Sequence, residues 1–349
     1  MSSEAARLLI SINLDNWWSI NLNSMDQQRI AVLGAFDIPP IKRDPAMSHS
    51  TDRRHFILST LASAATGAAV LAPTTARSIE PISRTNGHHF KFSLAAYSYR
   101  DLLKGTPPQL SLVDFIDDCA TFGLDGTELT SYYFPPAPTE EFLRQLKGEA
   151  FRRGLDISGT AVGNDFCFPQ SERRKTEIAH VKRWVEYADM MDAPVIRIFS
   201  GTAKAEQSAK EAHRLAVEAI EECCDHAGKY GVFLALENHG GITSEVNDML
   251  AIIHDVNSPW FGVNMDTGNF RSADIYGDLA KLAPYSLNVQ VKVFIHPAGQ
   301  QNQPSDFGRL ARILRAAGYR GYIVLEFEES GDPRKECKKY IEQIREAFA

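Results

Sequence analysis

Four apolar runs in the second half of the chain each end on side chains able to bind a cation or carry a proton. They read Leu236-Glu237-Asn238-His239, Asn264-Met265-Asp266-Thr267-Gly268-Asn269, Val289-Gln290-Val291-Lys292 and Leu325-Glu326-Phe327-Glu328; an earlier run ends in Thr127-Glu128-Leu129. Carboxylates or amides placed this way after successive apolar runs do not suit a solvated surface. Unpaired carboxylates converging in a low dielectric repel one another strongly, and a divalent cation at their centre removes that repulsion. In a strand, residues two apart share a face. Glu326 and Glu328 are therefore expected on one side, as are Gln290 and Lys292.

These runs belong to a regular series. Strands are expected at Phe92–Tyr97, Leu124–Leu129, Leu155–Thr160, Val195–Phe199, Val232–Glu237, Phe261–Asp266, Asn288–Phe294 and Tyr322–Phe327, many preceded by a Gly or Pro stop such as Gly123, Gly154, Pro194, Gly231 and Gly321. Apolar residues at three- and four-residue spacing predict helices between and after them, including Leu112–Phe122, Glu140–Arg153, Ile178–Met191, Glu211–Lys229, Gly308–Ala317 and Lys335–Phe348. Eight strand-plus-helix units predict an α/β fold, the closed (β/α)8 TIM barrel, as a single domain over residues 91–349. The chain has no Gly-x-Gly-x-x-Gly after an early strand and no P-loop. In such barrels chemistry collects at the C-terminal ends of the strands, where these polar residues fall.

The composition narrows the function further. With 37 Lys+Arg against 44 Asp+Glu, the net charge of −7 argues against nucleic acid or an anionic membrane as partner. The five cysteines are too few, and of the wrong parity, for a disulfide scaffold, and none forms a Cys-x-x-Cys pair. Before the barrel, Arg53-Arg54-His55-Phe56-Ile57-Leu58 opens an Ala/Leu-rich stretch that ends in Ala72-Pro73-Thr74-Thr75-Ala76. Charged start, apolar middle and small-residue end form an export signal similar to the bacterial twin-arginine type. Residues 47–76 are read as that signal, 77–90 as a linker, and 1–46 as a non-native or disordered extension ahead of a true start at Met47. Export by this route places the mature chain in the periplasm, with no stable membrane insertion once the signal is removed.

Glu237-Asn238-His239, Asp266-Thr267-Gly268-Asn269 and the Glu326 strand resemble the xylose isomerase-like TIM barrel superfamily of sugar phosphate isomerases and epimerases, over about Lys91 to Ala349. The resemblance implies one divalent metal, held by Glu237, Asp266, Gln290 and Glu326. Gln290 stands where many of the family's epimerases have His; with all-oxygen ligands, Mn²⁺ or Mg²⁺ is expected over Zn²⁺. Gln at this place also resembles the dehydratase branch. Plainer uses exist for each: a loop cap or lysine pair for Glu237, a helix cap for Asp266, a backbone-bonded glutamine for Gln290.

The chemistry this implies is proton abstraction beside a carbonyl of a sugar or keto-sugar, through an enediolate that the metal stabilises. Glu237 and Glu326 would remove and return the proton, and Lys292 would contact an enolate or hydroxyl oxygen. Glu128, His239, Asn269, Arg197 and Glu328 are the expected substrate contacts, with a structural salt bridge the alternative for Glu128 and a structural histidine for His239. Tyr132, Tyr133 and Phe134 would wall the pocket. A lyase results if the intermediate expels a β-substituent; an exported sugar-binding protein and a two-carboxylate glycosidase are the other classes. A homo-oligomer stays open.

Overall fold

Strand and helix alternate throughout residues 79–349, the part of the chain that this computed structural model describes. The twin-arginine segment, the start at Met47 and the cleavage site at Ala76 lie outside the described residues. The barrel strands are β1 His89–Ala95, β2 Gly126–Thr130, β3 Asp156–Ala161, β4 Val195–Ile198, β5 Phe233–Glu237, β6 Phe261–Asp266, β7 Ser286–Val291 and β8 Arg320–Leu325. All neighbours pair in parallel, and β1 pairs with both β2 and β8, which closes the cylinder. The helices of eight residues or more are α1 Leu112–Thr121, α2 Glu140–Arg152, α3 Glu172–Met190, α4 Ala209–Ala227, α5 Val246–Asp255, α6 Ile275–Leu282, α7 Phe307–Ala316 and α8 Pro333–Phe348.

Local chemistry explains where these helices start. Ser111, Thr139, Ser171, Ser208, Asp274, Asp306 and Asp332 each accept a backbone N–H of the following first turn, an interaction typically worth ~1 kcal/mol. Ser111 and Asp114 cap reciprocally. Only α5 begins without a side-chain cap, after Glu245. The helices bury one stripe against the strands, for example Phe115, Ile116 and Cys119 of α1, and Ala216, Ile220, Cys223 and Cys224 of α4. The adjacent cysteines thus fill a helix flank, and all five thiols are buried and free. Among the described residues no helix is long and apolar enough to cross a membrane.

Only β6 keeps the bounds expected from the sequence; most strands shift by one or two residues, β8 ending at Leu325 so that Glu326 follows it, and β1 and β7 change most. β1 opens at His89, because Arg320 and Gly321 extend the pairing with β8 backward. Residues before it bond to the barrel as well: Ile82 N donates to Pro284 O at 3.0 Å, and Arg320 donates to Asn86 O and Gly87 O. β7 runs Ser286–Val291, and Phe294–Ile295 turns away into a two-stranded antiparallel ribbon with Gln303–Pro304. Lys292 therefore stands just past the end of β7, at the mouth.

Candidate active site at the barrel mouth

The barrel lumen carries a polar layer where bulky aliphatic side chains are the rule. Glu128 of β2 reaches across to β7, accepting from Gln290 Nε2 at 2.7 Å and from Asn288 Nδ2 at 2.9 Å. Asn288 Nδ2 also donates to Asn264 Oδ1 at 2.9 Å, and Asn264 Nδ2 donates to Gln290 Oε1 at 2.8 Å. The four side chains are buried, Glu128 at 1% exposure.

Nearer the mouth stand Glu237, Asp266, Lys292 and Glu326, also buried. Asp266 is register-paired with Gln290. Its Oδ1 accepts from Gly268 N at 2.8 Å, while Oδ2 is buried without a hydrogen-bond partner. Asn238 clamps the backbone of the same residue, donating to Asp266 O and accepting from Asp266 N, both at 2.9 Å. Glu237 Oε1 accepts from Asn269 Nδ2 at 2.8 Å. Its Oε2 lies 2.9 Å from Arg197 Nε, an ion pair without an aligned hydrogen bond. Lys292 Nζ is 2.5 Å from Glu326 Oε2, 2.8 Å from Glu328 Oε1 and 3.5 Å from Asp266 Oδ2. One ammonium thus touches both Glu326 and Glu328, as their two-residue spacing implies. Gly268 makes this approach possible: a Cβ there would fall 2.7 Å from Lys292 Cβ and 2.9 Å from Phe294 O.

The rim is aromatic. Tyr97 and Tyr132 meet edge to face, Tyr132 half-exposed. His239 is exposed and lies on Phe199, ring centroids 4.2 Å apart, with the Arg197 guanidinium 4.1 Å from the same ring. Tyr133 is only partly buried and Phe134 is buried against Trp184 and Phe142.

Electrostatics separates these groups. Burial raises Glu128 to about 7, with Glu326 adding to the effect, and burial raises Asp266 to about 6 against the pull of Lys292. Burial also holds Glu237 well above the carboxylate range, despite Arg197. Glu326 goes the other way: burial is outweighed by the Lys292 ammonium, and the group stays below its usual value. Burial likewise opposes the charge of Lys292, but Asp266, Glu326 and Glu328 together raise it. His239, although its side chain reaches solvent, is lowered by partial desolvation against the mouth and by the Arg197 and Lys292 charges.

The raised Glu128 gives a testable slope. Between its unfolded pKa and about 7, the native state holds a proton that the unfolded chain releases, so this group's contribution falls as pH rises through that window. Urea melts should show the stability of the wild type relative to E128Q declining from about pH 5 to about pH 8; a difference independent of pH would contradict the buried carboxyl.

All the expected site residues therefore gather in and around one mouth, but with particular partners. Arg197 faces Glu237, and Glu128 has both oxygens engaged by amides. Gln290 bonds side chains, not backbone. Asn238 and Asn264 stand within the runs read from the sequence but carry no role there, and Asn288 enters only as the start of an expected strand. The last two had a signal: each lies two residues before a singled-out residue, on the same strand face.

A cation fits the donor set. The site buries four carboxylates, Glu128, Glu237, Asp266 and Glu326, against two basic groups, Arg197 and Lys292, and Asp266 Oδ2 has no hydrogen bond, only the Lys292 ammonium at 3.5 Å. Gln290 Oε1 uses one of its two lone pairs on Asn264. Among the described residues, no three His, Cys, Asp or Glu side chains already converge closely enough to hold an ion, which fits Lys292 standing between Asp266 and Glu326.

Comparison with known proteins agrees with this architecture. The profile of the xylose isomerase-like TIM barrel family matches residues 116–347. L-ribulose-5-phosphate 3-epimerase of Escherichia coli is 24% identical over 179 residues, 48% of this chain and 63% of that protein. The chain thus spans less than two thirds of the curated relatives it matches. D-psicose 3-epimerase of Clostridium cellulolyticum superposes with a TM-score of 0.63 at 16% identity, covering 74% of this chain and 99% of that one. The probable 3-DHS dehydratase of Bacillus anthracis gives 0.57 at 16% identity, covering 73% and 98%. At such identities the superpositions speak for the fold alone.

Proposed function

Because the chain belongs to the xylose isomerase-like TIM barrel family, we propose that it is a divalent-metal-dependent sugar epimerase or isomerase. The observation that carries this reading is Asp266 Oδ2, fully buried without a hydrogen bond and 3.5 Å from the Lys292 ammonium, within a set of four buried carboxylates and two buried cations. Glu237, Asp266, Glu326 and Gln290 would hold Mn²⁺ or Mg²⁺, an oxygen-only set suited to a hard ion. When bound, the ion supplies Lewis acidity toward a sugar carbonyl and its neighbouring hydroxyl.

The chain's own residues do the rest. Glu237 ends β5 and Glu326 directly follows β8, with β6 and β7 between them. A sugar standing over Asp266 and Gln290 meets one carboxylate on either side. One removes the α-proton and the other returns it to the opposite face. Lys292 holds Glu326 ionised and offers its remaining N–H to a developing oxyanion. Asn269 and Arg197 fix the two oxygens of Glu237.

The mouth suits an uncharged keto-sugar better than a phosphorylated one. Arg197 and Lys292 already face carboxylates, Arg100 donates to Phe327 O and Glu328 O, and Lys204 is paired with Asp165. Tyr97 and Tyr132 offer ring faces to a sugar. A lyase reading shares every residue of this site and is favoured by Gln290, whose amide stands where the epimerase pattern has His; what leaves the intermediate decides between them.

Chelation tests the metal. EDTA is expected to abolish turnover, and Mg²⁺ or Mn²⁺ to restore it. Activity untouched by EDTA after dialysis would overturn the reading in favour of a two-carboxylate hydrolase.

A further inference from the structure

Beneath the mouth, four buried side chains close a ring whose direction is set by one carboxyl group. Both oxygens of Glu128 accept hydrogen bonds, so Gln290 and Asn288 both turn their amide nitrogens toward it. Asn288 gives its other N–H to Asn264 Oδ1, and Asn264 gives one of its own to Gln290 Oε1. No amide can flip alone without setting oxygen against oxygen or nitrogen against nitrogen. The barrel is also irregular at this ring. The β2–β3 register shifts between Thr127 and Glu128, and the β6–β7 register shifts between Val263 and Asn264, where Val263 pairs with Ser286 but Asn264 with Asn288. Bulges of this kind re-aim side chains and are frequent beside active sites. A buried carboxylate and three amides are, moreover, a poor choice for filling space alone.

We infer that Glu128 is a positioning residue: through the ring with Asn288, Asn264 and Gln290, it turns the Gln290 amide oxygen away from itself and toward β6, the strand that carries Asp266. The inference rests on the cation reading above. It gives Glu128 a task apart from contact with substrate, since both its oxygens are engaged. Changing such a partner behind a metal ligand typically weakens metal binding roughly 10–100-fold.

The test is Mn²⁺ binding at pH 8, read by the electron paramagnetic resonance of free Mn²⁺, on the full chain and on E128Q, Q290A and E128Q/Q290A, with far-UV circular dichroism to confirm the fold. E128Q is expected to weaken Mn²⁺ roughly tenfold or more. In the Q290A background the same change is expected to add nothing, because Glu128 acts only through Gln290. Unchanged affinity in E128Q, or an equal further loss in Q290A, would overturn the inference while leaving the cation site intact. A wild-type chain that binds no Mn²⁺ would overturn the cation reading, and the inference with it. Should E128Q fail to fold, N264D sets a second acceptor against Gln290 Oε1. It is expected to turn the amide and weaken Mn²⁺ in a manner that Q290A abolishes; N264D with wild-type affinity would equally overturn the inference.

Discussion

Replacing Glu237 by Gln is expected to lower the rate of α-proton exchange about a thousandfold, within the range that a positioned acid–base group contributes. The substitution keeps shape and volume at a buried position, so the fold should persist. Asn269 Nδ2 and Arg197 Nε, which both now face carboxylate oxygens, would meet one amide oxygen and one amide nitrogen. What disappears is the proton acceptor and one negative charge of the expected ligand set. Steady-state kinetics with deuterium wash-in as the readout separates the losses: a fall in kcat with little change in KM marks a group acting in the transition state. A loss smaller than about tenfold would remove Glu237 from the proton-transfer role.

Lys292→Met is expected to damage both stability and catalysis. Its ammonium is the shared counter-charge of Glu326, Glu328 and Asp266, and two of these carboxylates are buried. Removing one partner of a buried ion pair costs about 3–5 kcal/mol, because the other charge is left without compensation. Glu328 is far more exposed and adds little, since solvent screens it. The sign of the pH dependence follows. Glu326 is held below its usual pKa chiefly by Lys292, against its burial, so that stabilisation is present above the unfolded carboxylate value and disappears as pH falls through the folded one. The penalty of K292M should therefore be full at about pH 7 and shrink toward about pH 4, where the orphaned carboxylates take up protons. Urea melts at both values check this; a variant as stable as the wild type at neutral pH would show that the ammonium does not neutralise the site.

The barrel was legible because its signals are local. Glycine or proline stops before many of the strands, apolar runs of a few residues, and amphipathic stretches between them all lie within short windows of sequence. The position of the mouth was legible too, since polar residues such as Glu237, Asp266 and Glu326 terminate apolar runs. The pairing of those residues was not. Glu128 meets Asn288 and Gln290 across 160 and 162 residues, and no local periodicity reports a contact through the lumen. The two register shifts that aim Glu128 and Asn264 into the lumen depend on how neighbouring strands slide, which single-strand alternation does not encode. Arg197 suited an anion of the substrate by type, yet a carboxylate on the adjacent strand meets its charge. Helices α5 and α6 were not singled out, although Val246, Met249 and Ile253 hold the three- and four-residue spacing of a buried face.

Proton NMR in D₂O of the Mg²⁺-loaded protein with uncharged keto-sugars tests the proposed chemistry most directly. Deuterium should enter the carbon beside the carbonyl while an isomeric sugar accumulates, and both should stop when the metal is stripped or Glu237 is replaced by Gln. Conversion of any of these sugars with no deuterium at that carbon would contradict proton abstraction, and with it the enediolate chemistry assigned to this barrel mouth.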